Sequence, residues 1–355
     1  LSSTHKISET ISVQLQTNKK IGLCKGLNVK NKKLKQLDET NWKPYSIFWQ
    51  NMQVFIYIAA FIINLMLPTV QEVEVTIYRI FLGIVILFLI VRYRLTSYSE
   101  TIKAKNNHEA QLYFAIGVII SIWDIVTTKF NILPLPFFPS FAQILQVMRE
   151  DYITLLVSTA YSLRLLVIGF TVGTVTGLVT GILIGWYKQW NYWLLPIIKI
   201  MGVIPAVAWI PVLMFIFPSS FYAQIFLIVL CVWFPVAYMT CSGIQNIQKS
   251  YFEAARTLGA NESYLVFKIA IPGAMPSIFT GIYTATGVSF ATLIVSEMIG
   301  AKAGLGWYIN WAKGWSNYAK VYASIIVMAI IFSLVMAVIY KMRDKVLIWQ
   351  KGLLK

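Results

Sequence analysis

The 355-residue chain is 58% hydrophobic, 15% aromatic and only 12% charged, with a net charge of +16. That is too apolar for a soluble domain and lies in the range of polytopic membrane proteins. The basic excess sits at the two ends, with nine lysines before Trp49 and five basic residues from Lys341 to Lys355. No basic stripe interleaved with stacking aromatics occurs, which excludes a nucleic-acid role. Both ends are therefore expected on the cytoplasmic face.

Residues 1–46 are polar and lysine-rich and read as a cytoplasmic tail lying near anionic lipid. The polar stretch before Tyr45 is too long for the n-region of a signal peptide, so the first span is expected to be retained; Leu1 leaves the true start open. Apolar runs able to cross the roughly 30 Å bilayer core follow at about 48–67, 77–91 and 112–130. The loop between the first two carries Glu72 and Glu74 and suits the outside. Arg92, Arg94, Lys103 and Lys105 place the next loop inside. A proline-rich outer stretch with Pro134, Pro136 and Pro139 leads into an amphipathic piece, Phe141 to Tyr152.

The fourth run, about 155–187, is too long for one perpendicular span and must tilt or project. Gly169, Gly173, Gly177, Gly181 and Gly185 recur every four residues along it. Such a stripe lets backbones approach, and Thr176 and Thr180 can bond across. Because a four-residue repeat drifts around a 3.6-residue helix, more than one neighbour is expected. The fifth run, about 191–217, contains Pro196, Pro205 and Pro211. Each proline removes a backbone donor, and broken backbone at membrane depth is tolerated where it lines a wet cavity. Pro205 and Pro211 thereby become candidates for the wall of a translocation path. Further runs lie at about 222–244, 274–296 and 321–341, giving eight.

Chemistry-bearing clusters are sparse. Cys231 and Cys241 lie ten residues apart on one span, too far to bridge, and Cys24 is in the tail. His5 and His108 sit in polar segments, and no metal-ligand spacing occurs. No catalytic constellation and no GxxxxGK[ST] loop is present, so ATP phosphates are not cradled here. Among ionisable groups near the membrane, Glu297 is a candidate for the path or its gate, with Ser296 beside it, against the plainer reading of a helix-end residue bonded to nearby backbone. Lys199 is expected to snorkel to the inner interface. Asp124 and Arg164 lie toward the outer side and could pair. Trp307, Trp311 and Trp315 read as an interfacial belt.

The most informative stretch is Ser250 to Pro272, a polar interruption between two apolar runs. Ser250 with Glu253 reads as a capping box, and Gly259 supplies a left-handed helix end. A short helix of about two turns is expected between them. Ala254 and Ala255 on it would allow another surface to approach closely.

Glu253-Ala254-Ala255, then Gly259, then Ile269, Ile271 and Pro272 resembles the EAA motif of the permease subunits of binding-protein-dependent ABC importers, with Ile271 in place of a leucine. Ser162-Leu163-Arg164, Ile204-Pro205-Ala206 through Pro211, Ala255-Arg256-Thr257-Leu258-Gly259-Ala260, Ser296-Glu297 and Gly304-Leu305-Gly306-Trp307 look closest to the nitrate, taurine and alkanesulfonate branch. Ile216-Phe217-Pro218 departs from the Trp-Phe-Gly-like turn of many members. The resemblance runs from about Ser158 to Lys341.

It implies an all-α, type I importer permease core of about six helices over residues 111–355, with a coupling loop at 245–273. Two extra N-terminal transmembrane helices lie in 47–110, after the tail 1–46. It implies a multi-pass protein of the bacterial inner membrane, with no enzyme activity of its own. Ser250, Glu253, Ala254, Ala255 and Gly259 would dock on ATP-binding cassette subunits, which hold the ATP and Mg. A second permease copy, or a close paralogue, and an extracytoplasmic solute-binding protein complete the implied assembly. The implied solute is a small anion such as nitrate, a sulfonate or taurine. A secondary transporter would need inverted repeats and mid-depth carboxylates, which are not seen. A channel fits the composition and leaves the capped loop unexplained.

Overall fold

The computed structural model of the protein describes residues 47–69, 74–95, 100–133 and 135–348. The basic segment 1–46 with His5 and Cys24, Glu72, Pro134 and the tail beyond Ile348 lie outside the described residues, as do the side chains of residues 100–108. The described residues form helices and turns with no strand. In chain order these are α1 (Ile47–Met66), α2 (Thr76–Leu95), α3 (Glu100–Asp124) with a π turn at Ile125–Lys129, α4 (Phe141–Glu150) and α5 (Tyr152–Trp186). Then come α6 (Lys188–Val203), a 3₁₀ turn at Ala206–Trp209, α7 (Ile210–Ile216), α8 (Ser220–Gln245), α9 (Lys249–Thr257) and α10 (Glu262–Tyr264). A second π turn at Leu265–Ala270 precedes α11 (Ile271–Gly300), α12 (Leu305–Gly314) and α13 (Tyr318–Val346).

Among the described residues, seven helices are long and apolar enough to cross a membrane, and an eighth crossing exists if a bent pair counts as one span. That pair is the fifth apolar run. It breaks at Ile204–Pro205 by 93°. The cause is local: the residue before a proline is driven out of the helical region, and Ile204 sits at φ −82°, ψ 118°. Pro211 lies in the first turn of α7, where its missing N–H is harmless.

The described residues divide into two compact units, one lying within 47–68 and 79–122 and the other within 69–78 and 123–348. In the first, α1 buries Gln50, Gln53, Tyr57, Ala60 and Asn64 at 3–4 spacing and exposes Phe55, Ile58, Ile62 and Leu65. Polar-in, apolar-out is the pattern that lipid as solvent selects. Arg79 donates to Asn64 Oδ1 at 3.0 Å, Tyr57 donates to the Tyr113 carbonyl at 3.1 Å, and Arg92 pairs with Glu109 beneath the Tyr113 hydroxyl.

In the second unit α8 is the central helix, and α5 lies along it. All five glycines of the stripe face α8, each against one residue of a matching four-residue repeat: Ile228, Val232, Val236, Thr240 and Ile244. A Cβ at Gly177 would lie 2.9 Å from Val236 Cβ and 3.0 Å from the Trp233 carbonyl oxygen. The expectation of several neighbours is corrected here. Both helices carry four-residue ridges, so the drift of one is followed by the drift of the other. Thr180 does bond across, accepting from Trp233 Nε1 at 2.9 Å, whereas Thr176 bonds back to its own helix. On the other side of α8, Gly281 of α11 meets the Pro235 carbonyl and Gly243 meets Ser277. Leu165, Val232, Val236, Ala285, Phe290 and Leu293 fill the core between the three helices.

Gly177→Ala is therefore expected to destabilise by about 1–3 kcal/mol through overpacking. Gly287→Ala, where no atom lies within 4 Å, is expected to leave the melting temperature unchanged or slightly raised. Thermal unfolding in one detergent checks both.

Candidate functional site

The loop after α8 turns through Asn246 to Gln248 and enters α9 at Lys249. The expected capping box does not form. Gln248 is the N-cap and makes no side-chain cap bond, which leaves Ser250 one residue inside the helix and Glu253 a turn further on. The far end is as expected. Gly259 has φ +83°, its N–H donates to the Arg256 carbonyl at 2.9 Å, and the Ala260 N–H donates to the Ala255 carbonyl at 3.0 Å. That is the paired bonding of a Schellman end, and it sets the helix at nine residues. Asn261 then caps α10 by accepting from the Tyr264 N–H at 2.8 Å.

The helix is seated on one side only. Phe252 packs edge-on against Trp186 at the end of α5, 5.4 Å between centroids, and beside Ile244. Ala255 shares that half-buried side, while Glu253, Ala254 and Gly259 are exposed. Tyr251 and Leu258 are also uncovered, Leu258 at 89% exposure, so Tyr251, Ala254 and Leu258 form an apolar strip at i, i+3 and i+7. Sequence reasoning missed Tyr251 and Leu258. The available signal was that they are the apolar residues on the otherwise polar side of a short amphipathic helix. The exposed Arg256–Glu262 pair at 3.0 Å adds little to stability.

At the opposite end of α11 a second cluster gathers residues from distant parts of the sequence. Glu297 is 1% exposed. Its Oε1 accepts from Ser162 Oγ of α5 at 2.7 Å, and its Oε2 accepts from the Gly306 N–H at 2.8 Å. Ser162 Oγ in turn accepts from the Leu305 N–H at 2.9 Å. Gly304 sits at φ +125°, and a Cβ there would lie 2.5 Å from the Glu297 carboxylate. The neighbouring Ser296 is fully buried, bonds back to Leu293, and its carbonyl accepts from Gln224 of α8 at 3.3 Å. Pro205 and Pro211 are exposed on the broken span and make none of these bonds.

Beyond it, Tyr308 of α12 donates to Asp151 Oδ2, which Lys320 also contacts; the Lys320 ammonium lies 5.1 Å from the centre of the Trp311 ring. Partial burial alone would raise the Asp151 carboxyl, but the bonds from Lys320 and Tyr308 and the ammonium charge outweigh it and hold it below its usual value. Burial, and then the bond to Asp151, push the Tyr308 phenol well above the usual tyrosine range. Trp307 and Trp311 are stacked at 6.3 Å, and Trp315 is exposed. The expected Asp124–Arg164 pair is absent. Thr128 donates to Asp124 at 2.9 Å, and the Arg164 guanidinium lies 4.9 Å from the centre of the Phe221 ring. Lys199 is exposed on α6. Among the described residues no His, Cys, Asp and Glu cluster could hold a metal.

Seven span-length helices and one bent pair, with no strand among the described residues, define a multi-pass membrane protein. Residues 173–346 match the family described as binding-protein-dependent transport system inner membrane component. The chain is 34% identical over 111 residues to the taurine transport system permease protein TauC of Escherichia coli strain K12, covering 31% of this chain and 40% of that one. It is 30% identical over 131 residues to the bicarbonate transport system permease protein CmpB of Synechococcus elongatus, 37% and 47% of the two chains. It is 29% identical over 149 residues to the nitrate import permease protein NrtB of Leptolyngbya laminosa, 42% and 53%. The chain thus spans about half the length of these relatives. The matched family and these relatives are membrane components of transport systems.

The Asp151 bonds set a pH dependence. A depressed carboxyl contributes stability that is full above about pH 4, the unperturbed value, and is lost as pH falls through the lower folded value. Asp151→Asn is expected to lower the melting temperature at pH 7 and to flatten its decline below pH 4, measured by thermal unfolding across pH.

Proposed function

We propose that this chain is the membrane-spanning subunit of an ATP-driven importer for a small anion such as nitrate, a sulfonate or taurine, in a bacterial inner membrane. α9 faces the cytoplasm and is the coupling helix. Ser250, Glu253, Ala254, Ala255 and Gly259, together with Tyr251 and Leu258, form the surface that docks on an ATP-binding cassette subunit, which binds ATP and Mg. A solute-binding protein delivers the anion at the outer face. Two copies of this chain, or one beside a close paralogue, enclose the path. The tail 1–46 and the helix pair in 47–110 precede a permease core at 111–355. The broken span with Pro205 and Pro211 walls the path, with Ser296 and Glu297 behind it.

The observation that carries this reading is the seating of α9. It is fixed by Phe252 on one side and by the Gly259 end, and it leaves an uncovered apolar strip along its other side. Energy enters as a differential affinity: ATP binding by the partner must favour one packing of the spans over the other. The relatives supply the solute class, being named for taurine, bicarbonate and nitrate.

Gly259→Val forces a β-branched residue into φ +83°. It is expected to leave the subunit folded in the membrane and to reduce co-purification of the ATPase, and solute-stimulated ATP hydrolysis, by about tenfold or more, a loss of at least ~1.4 kcal/mol at the docking surface. Unchanged assembly and hydrolysis would remove the docking role. Uptake of the anion by vesicles lacking any ATPase would favour a secondary transporter or channel instead.

A further inference from the structure

α12 is a ten-residue helix whose N-cap residue, Gly304, has no side chain to offer. A helix start leaves its first N–H groups without partners, and a Ser, Thr, Asp or Asn at the N-cap ordinarily serves one of them. Here two such N–H groups, those of Leu305 and Gly306, are served from other helices: Ser162 Oγ of α5 takes one and Glu297 of α11 takes the other. Ser162 also donates to Glu297, so the three contacts close into a ring joining α5, α11 and α12. All three groups are buried, with Ser162 at 5%, Glu297 at 1% and Leu305 at 2% exposure. The glycines are part of the same design. A Cβ at Gly304 would strike the carboxylate, and one at Gly306 would lie 2.8 Å from Glu297 Cβ and 2.5 Å from the Ile294 carbonyl.

The position of Glu297 gives the ring a further meaning. Residues Glu262–Gly300 form one span-length helical run, which begins three residues after Gly259 and ends three residues after Glu297. Arg256 of α9 is tied to its first residue, Glu262. At about 1.5 Å per residue the 39-residue run is roughly 58 Å long. A displacement of α9 therefore reaches Glu297 along continuous backbone. α5, the other helix in the ring, receives α9 directly through the Trp186–Phe252 contact at its far end.

We infer that Ser162 and Glu297 are positioning residues of the transport cycle. They form a cap supplied from α5 and α11 that holds α12 in register, and through it movement of the coupling helix is delivered to the outer surface. Glu297 on this view acts on the solute only through α12. The inference rests on the importer reading given above.

Hydrogen exchange on the intact complex with its ATP-binding cassette subunits tests it, because the Leu305 and Gly306 amides are the bonded groups themselves. Exchange is followed in peptides covering 249–257 and 305–314, without nucleotide and after trapping with MgATP and vanadate. In the unaltered protein both segments are expected to change on trapping. In Ser162→Ala and in Glu297→Gln, α12 is expected to exchange about tenfold or more faster, the loss of a buried bond, and to stop responding to trapping, while the 249–257 segment still responds. Ser162→Thr keeps the hydroxyl and is expected to restore the response. An α12 segment that does not respond in the unaltered protein, or that responds equally in both variants, overturns the inference while leaving the importer reading intact. A 249–257 segment indifferent to trapping in the unaltered protein overturns the importer reading, and this inference with it.

Discussion

The second unit depends on how closely two backbones can approach. In lipid, apolar side chains gain little by leaving their surroundings for one another, so helix association falls to packing and to hydrogen bonds. The five glycines of α5 bring its main chain against the Val, Ile and Thr ridge of α8 from Gly169 to Gly185, and Gly243 and Gly281 do the same between α8 and α11. Neither seam tolerates a methyl group without movement. The result is three helices fixed in register along most of their length, with the smaller elements arranged at the two ends. Interiors packed this tightly shift as units rather than deform gradually.

Each end of the triple packing carries a different kind of chemistry. At the loop end the contacts are aromatic and the polar groups are exposed. Phe252 rests on Trp186, and α9 is otherwise left open to whatever meets it. At the other end the polar groups are buried and satisfied, with Glu297, Ser162 and Gln224 all bonded within the protein. A buried carboxylate that loses its donors is strongly penalised, so this end is held to a narrow set of geometries. The two ends thus differ in kind, one exposed and held by a single aromatic contact, the other buried and fully bonded.

Much of this was legible in the chain itself. The eight apolar runs correspond to the seven span-length helices and the bent pair, because length and hydropathy are what a bilayer selects. The break at Pro205 followed from local chemistry, as did the left-handed turn at Gly259. Three expectations failed for physical reasons. Ser250 reads as an N-cap from local spacing, but the turn out of α8 sets the helix start at Lys249. The glycine stripe implied several neighbours only while the partner was assumed straight and featureless; α8 repeats the same four-residue spacing. Asp124 and Arg164 have opposite charge at similar inferred depth, yet Phe221 offers the guanidinium a ring face. The ring of Ser162, Glu297 and Leu305 lay beyond any pattern reading. Its members are separated by as many as 143 residues, and only the fold brings them together.

The π turn at Leu265–Ala270 has a consequence for everything that follows it. Such a turn holds one residue more than the α-helical ladder would, and turns of this kind recur at working sites. Removing one residue there would let the ladder close normally and would rotate α11 by roughly 100° relative to α9. The faces of α11 that meet Gly243, Gln224 and Ser162 are thus indexed to α9 by a single supernumerary residue, as a gear is keyed to its shaft.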